Sequence, residues 1–402
     1  MENNENIILV PRAKETQNNS PPKKTICSFE INKFIIFILL IIITSIQFLV
    51  INILLFKGNK PETFEKTETI ENIENNINIT LDLNYTINNT NRRQFLFIED
   101  NKTNIETNKS QIHIVMALDA RSIYPTLVSM ASALENNNKT ENILVYHLLL
   151  SYDFNISKIE ILESLKEKYD FRTNYYKIPN IFKGMRRWRR TYTVYYKLLI
   201  PMIFSDFERV IFLDSDTLIF KDISEMYNLP FNDTYVLGYP FHTPWTAYRF
   251  GIRPKKYINA GVLLINIKKI REDGKDSELM EVTRKKGSKA FFLEQDTINY
   301  VYHKKIGLLP LKYGIYLYGN ITQFKKKYAY KLRIKLNLKE LENAINDPSL
   351  VHLCCCNPKV WYNRTKHENH FHHICKRFQK EFYFYANKTK YYDVIYNKYM
   401  KK

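Results

Sequence analysis

Three rhythms of apolar residues run along this chain, and each predicts a different kind of segment. Residues 1–33 are polar, rich in Asn, Lys and Glu, and show no period that would bury a core, which predicts a disordered tail. Phe34 to Phe56 is a run of 23 residues without a charge, between Lys33 and Lys57. That length suffices to cross the ~30 Å hydrocarbon core of a bilayer and exceeds a signal-peptide core of roughly 7–15 residues, so a single transmembrane helix is expected. Residues 57–110 return to the polar composition of the tail and read as a disordered stem. From Gln111 onward, short apolar runs alternate with segments of helical spacing. Strands are predicted at Gln111–Leu118, Ile143–Leu150, Thr173–Ile178 and Val210–Leu213, with helices at Ser122–Leu134, Ile156–Tyr169 and Tyr192–Phe204 between them. Apolar runs at Tyr235–Tyr239 and Tyr257–Ile265 follow, then helices at Glu294–His303 and Lys376–Tyr385. Alternating βαβα order predicts an α/β fold with a Rossmann-like, mostly parallel sheet and helices on both faces. The folded domain is bounded at 111–365, and a basic, aromatic extension occupies 366–402.

Chemistry enters where polar side chains interrupt the apolar runs. In Arg209-Val-Ile-Phe-Leu-Asp214-Ser-Asp216, two carboxylates stand two residues apart at the end of a strand. Asp is costly inside a strand unless it is paired, metal-bound or at the edge, and in α/β sheets ligands gather beyond the carboxyl ends of strands. A carboxylate-bearing oxygen site suits Mg²⁺ or Mn²⁺; a solvated acidic turn is the other reading of the pair. Asp119, Asn259, Gln295 and His352 occupy similar strand ends or helix starts. Asn259-Ala-Gly261 sets a polar side chain and a residue permitting close approach inside an apolar run. Glu294-Gln295-Asp296 opens a helix, where plain N-terminal capping is the alternative. His352 follows Leu350-Val351 as a candidate third metal ligand. With only 10 glycines the chain has no Gly-rich phosphate loop, so phosphates are to be held by metal and cations. The cluster Lys183-Gly-Met-Arg186-Arg187-Trp188-Arg189-Arg190 reads as a lid or acceptor surface, or as a solvated basic loop.

Length, charge and cysteines narrow the picture. A chain of 402 residues with 45% hydrophobic content holds one large domain plus appendages. The net charge of +19 comes from Lys scattered throughout, and no zinc-finger, helix-turn-helix or RNA-binding aromatic pattern occurs, so no nucleic-acid partner is expected. Arg12, Lys14, Lys23, Lys24 and Lys33 precede the apolar run and Lys57, Lys60 and Lys66 follow it, a slight positive-inside bias. Glycosylation sequons at Asn78, Asn84, Asn88, Asn101 and Asn108 point the same way, although Asn18-Asn-Ser20 shows that an Asn-rich chain also forms them by chance. The expectation is a single-pass, type II membrane protein whose body lies in the lumen of the Golgi or endoplasmic reticulum. In that oxidising lumen one of Cys354, Cys355 and Cys356 can pair with Cys375. A zinc site with His367, His370, His372 and His373 is the alternative, against which adjacent cysteines lack the usual ligand spacing.

Six ordered blocks carry a family resemblance. They are Ile114-Val-Met-Ala-Leu-Asp119, Tyr195-Tyr-Lys-Leu-Leu-Ile-Pro201, Ile211-Phe-Leu-Asp-Ser-Asp-Thr-Leu-Ile219, Tyr257-Ile-Asn-Ala-Gly-Val-Leu-Leu-Ile-Asn266, Glu294-Gln-Asp-Thr-Ile-Asn299, and His352 with Pro358-Lys359-Val-Trp361. Together they resemble family 8 of the glycosyltransferases from roughly Ile112 to Trp361. The resemblance implies a GT-A fold, a nucleotide-sugar donor (usually a uridine diphosphate sugar), Mn²⁺ with Mg²⁺ as substitute, and retention of anomeric configuration. It also implies metal ligation by Asp214, Asp216 and His352, phosphate contacts from Lys359 and Lys197, and a nucleotide contact from Asp119. Asn259 matches a position near sugar and acceptor, and Gln295 one beside the anomeric carbon. An amide is a weak nucleophile, so front-face displacement is favoured over a covalent intermediate on Glu294 or Asp296. The chain departs from the family where Lys197 replaces an Arg, Cys355 a Gly and Val360 a Pro, the last motif also carrying a one-residue insertion. Ala120-Arg121 follows Asp119 where a second acid and Asn are frequent, and Tyr239 to His242 contains no carboxylate. These departures keep an inactive nucleotide-sugar-binding adaptor as the alternative, with a nucleotidyltransferase behind it. The acceptor class stays open among glycan, protein and lipid.

Overall fold

Strands form where β-branched and aromatic residues crowd together. The computed structural model describes residues 96–99, 109–137, 142–241, 247–251, 256–314, 338–356, 358–363 and 372–401. Its strands are β1 (Leu96–Glu99), β2 (Gln111–Leu118), β3 (Ile143–Leu150), β4 (Phe171–Lys177), β5 (Arg209–Leu213), β6 (Thr217–Ile219), β7 (Val236–Pro240), β8 (Ile258–Asn266), β9 (Ile306–Leu308) and β10 (Leu350–His352). Eight of them make one sheet in the order β1-β4-β3-β2-β5-β8-β7-β9, and β10 pairs with β6 in a separate ladder. Pairs β3/β4, β2/β3, β2/β5 and β7/β9 are parallel. Pairs β1/β4, β5/β8 and β7/β8 are antiparallel. Within the eight-stranded sheet parallel pairs are thus the majority, as the βαβα order predicts, and the antiparallel β8 is beyond periodicity to foresee, because an apolar run has no direction.

Among the described residues the helices of eight residues or more are α1 (Ile123–Asn137), α2 (Lys275–Lys286), α3 (Glu294–Val301), α4 (Leu338–Asn346), α5 (His372–Ala386) and α6 (Tyr392–Tyr399). Successive sheet residues feed opposite cores. Ile114, Met116, Leu148, Leu150, Ile211 and Leu213 join the core that holds Leu127 and Met130 of α1. Val115, Leu149, Val210 and Phe212 join the core with Leu279 of α2 and Ile298 of α3. This alternation is the period of two expected of strands covered on both faces, and all eight residues of β3 are buried accordingly.

Several expectations change in detail. The predicted helix Ile156–Tyr169 is a 3-10 turn at Ile156–Lys158, an α turn at Ile159–Glu163 and a 3-10 segment at Ser164–Glu167. Tyr192–Phe204 is a 3-10 helix at Thr193–Leu199 followed by an α turn at Ile200–Ile203, with Pro201 in its first turn, where a missing N–H is tolerated. Helical spacing does not separate these forms over so few residues. β1 lies inside the segment read as stem and pairs with β4, so order begins before Gln111; a four-residue strand does not stand out from a polar background. Cys356 pairs with Cys375, which settles the choice within the triplet and removes both sulfurs from any zinc site. Among the described residues no helix is long and apolar enough to cross a membrane. The predicted span at Phe34–Phe56, the tail and the five stem sequons lie outside the described residues.

Candidate active site

The acidic pair sits where β5 ends and β6 begins. The Asp214 amide donates to the Gly261 carbonyl of β8 at 2.8 Å, which fixes the first acid at the sheet edge. In the small antiparallel ladder His352 of β10 stands opposite Thr217, and the Leu353 amide donates to the Asp216 carbonyl at 2.8 Å. The ladder thereby carries a histidine distant in sequence to the second acid. His352 Nε2 lies 3.1 Å from Asp216 Oδ1 and 3.6 Å from Asp214 Oδ2. One ligand atom from each of the three residues falls within 4.8 Å of the others, the set predicted for the metal.

The tautomer and the packing around this set fit a cation. His352 Nδ1 lies 3.2 Å from Asn259 Oδ1, and that oxygen also accepts the Gly261 amide at 2.7 Å. An amide oxygen only accepts, so Nδ1 keeps its hydrogen and Nε2 is left to face the acids. Burial disfavours the imidazolium, but the Cys354 sulfur and the Asp216 carboxylate outweigh it, and the imidazole is pushed up to about 10. Burial likewise raises the Asp216 carboxyl, yet Lys359 and His352 overcome it and hold the group well below the ordinary carboxylate range. A cation bound at Nε2 would take the place of that proton. Gly261 makes the close approach possible, because a Cβ there would stand 2.0 Å from His352 Cε1 and 2.6 Å from Asp214 Oδ2. Two carboxylate oxygens and an imidazole nitrogen are donors that suit Mn²⁺ or Mg²⁺.

The two lysines have different places. Lys359 Nζ bonds Asp216 Oδ2 and donates to the Leu353 carbonyl at 3.1 Å, at the rim of the site with 11% of its side chain exposed. Lys197 is sealed behind the acids with 1% exposed, donating to Asp214 Oδ1 (3.1 Å) and the Ala260 carbonyl (2.9 Å) and facing Glu294 Oε1 (3.2 Å). The expected phosphate contact from Lys197 does not fit this position, since every direction from its ammonium is taken by protein; it braces Asp214 instead. Burial pushes the neighbouring Glu294 carboxyl up to about 7, against the pull of Lys197.

Gln295 is buried on the first turn of α3, which is stitched to β8. Its Oε1 accepts the Ala260 amide at 3.1 Å, its Nε2 donates to the Tyr257 hydroxyl at 3.3 Å, and Asn299 bridges both backbone groups of Ile258 at 2.8 Å each. Asp296 receives the amides of Phe291 and Phe292 at 2.7 and 2.9 Å as well as the Tyr257 hydroxyl, so it ties the loop before α3 to the helix. Asn259 joins the metal set through His352. Asp119 at the end of β2 is instead held by its own neighbour: Arg121 reaches it through the backbone amide (2.9 Å) and through Nε and a terminal nitrogen (3.2 and 2.6 Å). Two contributors escape sequence reasoning. Tyr239 places its hydroxyl 2.9 Å from His352 Nδ1, with only a strand-end tyrosine as signal. Asn299 follows Gln295 by four residues, the helical spacing that puts both on one face.

A model of glycosyl transferase family 8 matches residues 113–365. Among curated relatives, general stress protein A of Bacillus subtilis is 24% identical over 194 residues, covering 46% of this chain and 65% of that protein. Probable galacturonosyltransferase-like 10 of Arabidopsis thaliana is 24% identical over 192 residues, covering 43% of this chain and 52% of that protein. The matches thus span less than two thirds of either relative's length. Two solved structures share the fold. The WbbM bifunctional glycosyltransferase superposes with a TM-score of 0.59 at 18% identity, over 72% of this chain and 52% of that one. The galactosyltransferase LgtC, solved with donor and acceptor sugar analogues, superposes with a TM-score of 0.55 at 17% identity, over 69% of this chain and 96% of that one.

Proposed function

Because the chain belongs to glycosyl transferase family 8, we propose that it transfers a sugar with retention of configuration from a nucleoside diphosphate donor, a uridine diphosphate hexose by preference, to a glycan, protein or lipid acceptor. The observation that carries this reading is the convergence of Asp214 and Asp216, from the turn between β5 and β6, with His352 of β10 on one point, with Lys359 beside it. Asp214, Asp216 and His352 would hold a divalent cation, Mn²⁺ by preference, which would supply Lewis-acid stabilisation of the charge on a departing diphosphate. Lys359 adds its ammonium to the same charge. Gln295 has both ends of its amide engaged with Ala260 and Tyr257, which suits orientation of a sugar better than attack on it. Glu294 faces Lys197, and Asp296 is held by the Phe291 and Phe292 amides and the Tyr257 hydroxyl, so neither carboxylate is free to form a covalent intermediate. Front-face displacement, in which the leaving phosphate takes the acceptor proton, is the mechanism these constraints favour.

The apolar run Phe34–Phe56 and the sequons behind it support a type II protein with its catalytic body in the lumen of the Golgi or endoplasmic reticulum. The Cys356–Cys375 disulfide supports the same oxidising compartment. The nucleotide-sugar-binding adaptor is the second reading, favoured by the departures from the family at Lys197 and Cys355. Incubating the purified full-length protein with Mn²⁺ and a panel of nucleotide sugars decides between them. Hydrolysis or transfer from one donor, abolished by chelator, is expected; binding of a nucleotide without turnover of any donor makes the protein an adaptor.

A further inference from the structure

The segment that carries Lys359 is held from both sides by helices beyond the family match, which ends at residue 365. Cys356, three residues before Lys359, is joined to Cys375 of α5. The three residues after Lys359 are bonded through their carbonyls: Gln379 Nε2 donates to Val360 at 2.9 Å and to Tyr362 at 2.8 Å, and the Tyr383 hydroxyl donates to Trp361 at 2.6 Å. The Trp361 ring packs 5.5 Å from that of Phe382, and the Asn363 amide donates to the Tyr399 carbonyl of α6 at 3.2 Å. Within the segment, the Tyr362 amide returns to the Lys359 carbonyl at 3.0 Å. α5 is itself anchored on the domain, where Asn136 of α1 donates to the Tyr385 hydroxyl at 2.9 Å. A covalent tie and three hydrogen bonds from two side chains therefore converge on the short segment whose one charged side chain is Lys359.

We propose that α5 is a fixed clamp on the Lys359 segment, presetting its ammonium for a diphosphate so that this segment does not have to close over the ligand. Gln379, Tyr383 and the disulfide are then positioning residues, acting on the donor only through Lys359. Preorganisation of this kind raises affinity by removing the ordering cost from the binding step. The chemistry assigned to Lys359 rests on the function proposed above, whereas the clamp itself is readable without any ligand.

Hydrogen exchange of the Leu353, Cys356 and Tyr362 amides in the full-length protein, first without ligand, tests the clamp directly. In wild type these amides are expected to exchange slowly and to change by less than about threefold when Mn²⁺ and UDP are added. The double variants Gln379→Ala/Tyr383→Phe and Cys356→Ser/Cys375→Ser are expected to exchange at least about tenfold faster without ligand. Fast exchange in ligand-free wild type that slows on adding UDP, or unchanged exchange in both variants, overturns the proposal. Calorimetry supplies the second arm. Each clamp variant is expected to lose about tenfold in UDP affinity with Mn²⁺ present, to match Lys359→Ala, and to add nothing to it in combination, while affinity for Mn²⁺ alone stays within about threefold. Additive losses, or an equal loss of Mn²⁺ affinity, mean that α5 supports the fold generally and the proposal fails. A wild type that binds no UDP removes the assigned role of Lys359, and the exchange arm still decides whether the clamp exists.

Discussion

Two imidazoles are buried in this chain to nearly the same depth and are driven in opposite directions. His147 on β3 is 1% exposed and His352 on β10 is 2% exposed. His147 sits among the rings of Phe204, Phe207 and Tyr176, with His113 Nδ1 3.0 Å from its Nε2, and burial, then His113, push it down to about 3. For His352, burial acts in the same sense, but Cys354 and Asp216 reverse it and the imidazole is pushed up to about 10. Depth is common to both, so the anionic partners make the difference. A buried histidine among rings is a sealed part of the core; one facing two carboxylates belongs to a site that calls for a cation.

The largest break of this contrast is Asp216→Asn. It removes the carboxylate nearest Nε2 while keeping the side chain's shape, so His352 is expected to lose its raised proton affinity and move toward the behaviour of His147, read by NMR titration. Mn²⁺ affinity should fall by more than about 100-fold, above the range of outer-shell substitutions, and turnover with the accepted donor should fall at least as far. A variant that retains Mn²⁺ affinity removes Asp216 from the metal set.

The two regions also differ in how far the sequence discloses them. Ile143-Leu-Val-Tyr-His-Leu-Leu-Leu150 reads as a central strand, and His147 lies in it as the core requires. Asp214 and Asp216 are visible as an interruption of an apolar run, and ordered blocks supply His352 and Gln295 through the family resemblance. What sequence does not disclose is depth and direction. Lys197 looks like a phosphate cation by charge and position, yet the fold turns it inward beneath Asp214, where a buried ammonium is tolerable only because Asp214, Glu294 and the Ala260 carbonyl receive it. Tyr239 offers no local signal beyond a tyrosine near a strand end, since its role exists only once β7 and β10 are brought together. The choice of Cys356 among three adjacent cysteines depends on where α5 docks, a tertiary fact that no local pattern contains.

Gly261→Ala sharpens the comparison from the steric side. The added methyl would meet the His352 ring at 2.0 Å and Asp214 Oδ2 at 2.6 Å, so the imidazole must leave the acids. Overpacking of this order costs about 1–3 kcal/mol, and the displaced ligand should cost Mn²⁺ affinity about tenfold or more. Gly274, with its positive φ of 62° and open surroundings, is the control: Gly274→Ala should lower thermal stability slightly and leave Mn²⁺ affinity alone. An unshifted Mn²⁺ affinity in Gly261→Ala means that the close approach is dispensable.

The last expected effect is on the pH dependence of stability, and its sign separates the two imidazoles. His113 is pushed down to about 4 and His147 to about 3, both by burial first. An unfolded histidine titrates near 6.5, so below that pH the unfolded chain binds protons that the folded chain refuses. Their contribution is complete above about pH 6.5 and is lost as pH falls toward the folded values. At 1.36 kcal/mol per unit, the two together are worth at most about 4 kcal/mol between pH 7 and 5. His352 runs the other way: with a folded value of about 10, its contribution is complete below about pH 6.5 and is lost as pH rises through the alkaline range. His147→Phe keeps a ring among Phe204, Phe207 and Tyr176 and should remove about half of the acid-side loss, measured as the difference in urea unfolding free energy between pH 7 and pH 5. An acid limb of unchanged steepness in His147→Phe means that the pair on β2 and β3 is not what the fold loses first in acid, and the contrast between sealed and cation-seeking histidines then rests on His352 alone.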